Sequence, residues 1–78
     1  MTRAAFRNLL GDILDVPRGA LQDADTRDTL SSWTSLADVK ILTTITSELG
    51  VEPDAELMEA ETIGDLLGVL EDHDAFSA

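Results

Sequence analysis

Apolar residues recur at intervals of three and four in three stretches of this chain, and nowhere do they alternate at intervals of two. That pattern puts one apolar stripe on each of several helices and leaves no half-buried strand. Phe6, Leu9, Leu10, Ile13 and Leu14 form the first stripe, with Thr2 placed to cap it and Pro17 and Gly19 placed to stop it. The spacing predicts a helix over about residues 3–15. Leu36, Val39, Leu42, Ile45 and Leu49 form the second, over about 35–49, closed by Gly50 as a left-handed cap. Asp54 can cap a short helix over 55–60. Thr62-Ile63-Gly64-Asp65 has the capping-box form and opens a last helix over about 62–72. The expected class is all-α, with three main helices, one short helix and a long first loop.

That loop, from Val16 to Thr34, is polar and contains Pro17, Gly19, Asp23, Asp25, Asp28, Ser31 and Ser32. A connection this long in a small domain carries either function or short structure of its own. Leu21 and Leu30 are expected to pin it to the core, and Trp33, the only tryptophan, to anchor its end. No repeat or internal boundary divides the chain, so residues 1–78 read as one domain. The chain opens on methionine and runs through one set of helices, which suggests a free-standing protein.

Composition removes several classes of function. With 78 residues, the core is thin and a deep catalytic cleft is not expected. Sixteen acids against five bases give a net charge of −11, which repels phosphate backbones and anionic lipid surfaces. No apolar run approaches the roughly 18 residues of a membrane span. There is no cysteine, and so no disulfide, thiolate metal site or cysteine nucleophile. The single histidine, His73, falls at the end of the last helix, and nothing brings it to a serine. It reads as an exposed residue that meets the helix dipole favourably. An enzyme is not expected. A cytoplasmic domain that acts by being bound is.

Charge is also uneven. Residues 1–50 carry seven acids and all five bases, whereas residues 51–78 carry nine acids and no base. Because these acids interleave with Leu57, Met58, Ile63, Leu66, Leu67 and Leu70, the acidic half is folded rather than a tail.

Ser35 stands where the long loop meets the second helix. Two readings are open for it. Ser35-Leu36-Ala37-Asp38 fits a capping box, so the serine can serve only as a helix cap worth about 1 kcal/mol. Alternatively, an anionic group on its hydroxyl would lie at the positive end of the helix dipole, favoured by roughly 0.3–1 kcal/mol.

The order of elements, the segment Trp33-Thr34-Ser35-Leu36, the stretch Glu48-Leu49-Gly50-Val51 and the segment Thr62-Ile63-Gly64-Asp65-Leu66-Leu67 together resemble an acyl carrier protein. The similarity runs over essentially the whole chain. The tripeptide Thr-Ser-Leu carries no weight by itself, and gains it only from that full-length setting. The resemblance implies a four-helix acyl-carrier-like bundle with 4′-phosphopantetheine attached to Ser35. The thiol that bears the acyl group then belongs to the prosthetic arm, which accounts for the missing cysteine. It also implies a monomer that meets a phosphopantetheinyl transferase and acyl-loading, condensing or acyl-transferring enzymes. Leu36, Val39, Lys40, Thr43 and Met58 would form the partner face. Leu36 has a core reading as well, and Leu57 and Met58 either line an acyl groove or complete the core.

Two features depart from that family. The aspartate that usually precedes the serine is Thr34 here. The segment from Ser35 to Leu49 holds only Asp38 and Glu48 as acids, with Lys40 among them and Thr43, Thr44, Thr46 and Ser47 in place of a carboxylate row. The resemblance therefore points to partners that read a polar surface, and to a carrier of polyketide or mixed polyketide–peptide biosynthesis rather than of primary fatty-acid synthesis. A peptidyl carrier and an unmodified acidic interaction module are the alternatives.

Overall fold

Thr2 begins the first helix as its spacing predicts: its hydroxyl accepts the Ala5 N–H at 3.1 Å, and α1 follows over Arg3–Ile13. The computed structural model describes residues 1–17 and 19–77. α1 stops two residues earlier than expected, and proline is not the cause. Asp15 turns left-handed at φ 56°, and the Val16 N–H reaches back to the Gly11 carbonyl at 2.8 Å while the Asp15 N–H reaches that of Asp12. This paired closure satisfies carbonyls that the helix end would otherwise leave bare.

α2 spans Ser35–Thr44 and continues without a break into a π-helical turn over Ile45–Leu49. Gly50 closes it at φ 67°, a conformation that glycine adopts without steric cost. The short α3 runs over Ala55–Glu59 from an Asp54 cap, and α4 over Ile63–Asp72. Both halves of the Thr62–Asp65 capping box are present. Among the described residues there is no strand, only one isolated bridge between Thr26 and Thr62. The molecule is all-α.

The inward face of α2 differs from the predicted stripe. Ala37, Ile41 and Ile45 are buried, whereas Leu36 is 65% exposed and Val39 60%, with Leu42 and Leu49 half-buried. The reason is angular. At about 100° per residue, a step of three falls about 60° short of a full turn, so three such steps from Leu36 to Ile45 end on the opposite side of the helix. Steps of four from Ala37 drift only about 40° each and stay on one face.

Phe6 and Leu10 of α1, with Leu14 just past its end, meet this face and the buried side of α4, formed by Ile63, Leu66, Leu67 and Leu70. Leu57 closes the core from α3. The Cα radius of gyration is 11.3 Å, against about 11.5 Å for a compact chain of this length.

The first loop is fastened at several points. Leu21 and Trp33 are buried and Leu30 half-buried, as the sequence suggests. Arg7 ties the loop to α1 through the Leu21 carbonyl at 2.7 Å and through the Asp23 carboxylate. The loop also caps α4: the Ile63 and Gly64 N–H groups donate to the Asp25 and Asp23 carbonyls at 3.0 and 2.8 Å.

Candidate functional site

The start of α2 is one residue earlier than the serine-capped reading. Thr34 has the extended backbone of a cap, and its hydroxyl accepts the Ala37 N–H at 3.4 Å. Ser35 is therefore the first helical residue, and the Ser35–Asp38 capping box does not form. Two stronger partners claim Asp38 instead. The Trp33 indole donates to it at 2.6 Å, and the Arg27 guanidinium donates to its two oxygens at 2.9 and 3.1 Å. Charge-assisted bonds of this kind outcompete a reach back to a neutral N–H.

Relieved of capping, Ser35 is exposed, and its hydroxyl has no hydrogen-bond partner among the described residues. The Ser35 and Leu36 N–H groups likewise meet no acceptor there, in contrast to those opening α4. An anionic substituent on the Ser35 oxygen would thus find free donors and the positive end of a helix beside it.

Around Ser35 the surface is more apolar than the composition of α2 suggests. Leu36, Val39 and Met58 are exposed large hydrophobic residues, with Met58 at 68%. Lys40 and Thr43 are exposed as well. Yet three hydroxyls downstream of Ser35 do not offer their protons outward. Thr43 donates to the Val39 carbonyl at 2.8 Å, Thr46 to those of Leu42 and Val51, and Ser47 to that of Thr44. The threonine methyls join Val39, Leu42 and Pro53 along an open groove of about 410 Å³. The donor protons of Thr43, Thr46 and Ser47 are thus spent on nearby backbone carbonyls, while their oxygens can still accept.

On the other side of Leu42 a smaller cleft of about 100 Å³ opens between α2, α3 and α4. Ile41, Leu42, Leu57, Met58 and Leu66 line it, with Arg27 and Asp38 at its polar edge. Of the α3 pair, Leu57 completes the core and Met58 is exposed, and both line this cleft.

Arg27 went unnoticed in the sequence, because one arginine in a polar loop has no periodic signal. Its guanidinium lies 4.5 Å from the Trp33 ring centroid, pairs with Asp38 and donates to the Ala60 carbonyl at 3.3 Å. It thus links the loop, α2 and the α3–α4 connection.

His73 is exposed at the end of α4, and its Nε2 lies 3.0 Å from Asp54 Oδ2. Asp54 also accepts the Leu57 N–H, and that bond first, with His73 adding to it, holds its carboxyl below the usual range against a smaller opposing effect of desolvation. This contact braces α3 against α4 and leaves His73 out of any serine pair. Among the described residues, no helix is long and apolar enough to cross a membrane. No protein-family model matches the chain, and no curated protein matches it.

Proposed function

We propose that the chain is an acyl carrier protein whose Ser35 bears 4′-phosphopantetheine. One observation carries the reading: Ser35 presents an unpartnered hydroxyl in the first turn of α2, a helix whose Leu36 and Val39 are exposed and whose Asp38 lines an interhelical cleft. The local chemistry suits a phosphodiester, since the adjacent N–H groups are free and a carboxylate is missing next to the site. Thr34 in place of aspartate keeps a good cap while removing one negative charge. The arm supplies a terminal thiol that bears the acyl cargo as a thioester.

This chain's own residues do the rest. Thr34 sets the helix start, so that Ser35 is accessible to a phosphopantetheinyl transferase. Leu36, Val39, Lys40, Thr43 and Met58 face acyl-loading, condensing or acyl-transferring enzymes. The cleft shelters what the arm carries. With so few acids on α2, the reading favours a monomeric, cytoplasmic carrier of polyketide-type biosynthesis, acting without nucleic acid or membrane and without catalysis of its own. The acidity of residues 51–78 supports a second reading, an unmodified module that binds a basic partner.

Intact mass spectrometry after incubation with coenzyme A, magnesium and a broad-specificity phosphopantetheinyl transferase separates the two. Gain of one phosphopantetheine on wild type and none on Ser35→Ala is the expected result. No gain on folded wild type, with an active control carrier, refutes the proposal.

A further inference from the structure

The cleft beneath Arg27 is small, and its edge is not apolar. An apolar cavity of about 150 Å³ accommodates benzene, so one of about 100 Å³ takes about four heavy atoms beyond a thioester carbonyl. Its floor is fixed, because Ile41, Leu57 and Leu66 are all at most 4% exposed. Its edge is fixed as well. Arg27 spans it from Asp38 on α2 to the Ala60 carbonyl, with its guanidinium 4.5 Å over the Trp33 ring centroid.

A guanidinium has five N–H donors, and the bonds to Ala60 and Asp38 leave some of them free. Burying an uncharged oxygen beside such a donor offsets the cost of removing it from water. A carboxylate is a poorer match, since Asp38 already answers the Arg27 charge and the chain carries −11 overall. Asp38 lies three residues from Ser35, less than one helical turn along α2.

Resting on the carrier reading, we infer that this cleft selects a short acyl chain bearing a neutral carbonyl oxygen, and that Arg27 is the residue that recognises the oxygen. Saturated chains of the same length enter without that bond. Chains of eight carbons do not fit and remain outside.

The test loads Ser35 with acetoacetyl-, butyryl- or octanoyl-phosphopantetheine from the corresponding coenzyme A thioesters, with loading verified by intact mass. Failure to load at all counts against the carrier reading itself. For loaded protein, nuclear magnetic resonance follows the Trp33 indole N–H, the Arg27 Nε–H and the Leu57 and Leu66 methyls. Acetoacetyl should shift all of them relative to the unacylated form. Butyryl should shift the methyls alone, and octanoyl none. Equal shifts for acetoacetyl and butyryl at the Arg27 and Trp33 signals, or methyl shifts with octanoyl, overturn the inference. Arg27→Lys, which keeps the charge but not the planar fork, should erase the difference between acetoacetyl and butyryl. Its fold is checked by the dispersion of the methyl signals, and a folded Arg27→Lys protein that retains the full difference also overturns it.

Discussion

Thr34 and Ser35 are neighbours with opposite roles, and the division between them is measurable. Thr34 spends its hydroxyl on the Ala37 N–H, whereas the Ser35 hydroxyl is unpartnered among the described residues. Thr34→Ala should therefore cost about 1 kcal/mol in urea denaturation. Ser35→Ala should change stability by no more than about 0.5 kcal/mol, as expected of an exposed position without a bond to lose. The reverse ranking would return the cap to Ser35 and remove the local argument for its modification. The sequence marked this junction within one residue but put the cap on Ser35 rather than on the adjacent Thr34. That choice depends on Asp38, which would have favoured Ser35 had Arg27 and Trp33 not taken it. Long-range competition of this kind leaves no trace in local spacing.

At the scale of elements, helix existence was legible and helix facing was not. The caps at Thr2, Asp54 and Thr62 and the left-handed Gly50 all stand where turn chemistry puts them. For α2, counting the largest hydrophobes chose Leu36 and Val39, because the small Ala37 attracts no notice although it packs inward. Ile41→Ala should cost about 2–5 kcal/mol as a cavity in the core, while Leu36→Ala should leave the unfolding midpoint nearly unchanged. If Leu36→Ala costs as much as Ile41→Ala, the observed facing is wrong. The join between the first loop and α4 was equally silent in the sequence, since backbone carbonyls make it. A Cβ on Gly64 would lie 3.1 Å from the Asp23 Cβ and 3.2 Å from its carbonyl oxygen. Gly64→Val should thus push the loop away, costing about 1–3 kcal/mol. Urea unfolding measures the cost, and weakened amide-exchange protection at Ile63 and residue 64 locates it.

Across the whole molecule, a charge of −11 sets two opposing responses to acid. Self-repulsion among sixteen acids destabilises the folded chain at neutral pH and eases as carboxylates protonate. Asp23 and Asp54 act the other way. Its hydrogen bond from Arg7, joined by the charges of Arg7 and Arg3, lowers the Asp23 pKa, and the Leu57 N–H leads the lowering at Asp54. A carboxyl whose folded pKa lies below its unfolded value, about 3.9, contributes stability above that value and loses it as pH falls through the folded pKa. Both groups are well exposed, so solvent screening keeps each contribution small. The melting temperature should therefore rise or hold level from pH 7 toward about pH 5, as repulsion eases, and fall below about pH 4. Added salt at pH 7 should raise it, because screening weakens the repulsion of the whole surface. The double variant Asp23→Asn, Asp54→Asn should start lower at pH 7 and decline less steeply below pH 4. A wild-type curve that falls continuously from pH 7 would mean that specific ion pairs outweigh repulsion throughout. The −9 balance of residues 51–78 would then be held in contacts rather than displayed to solvent.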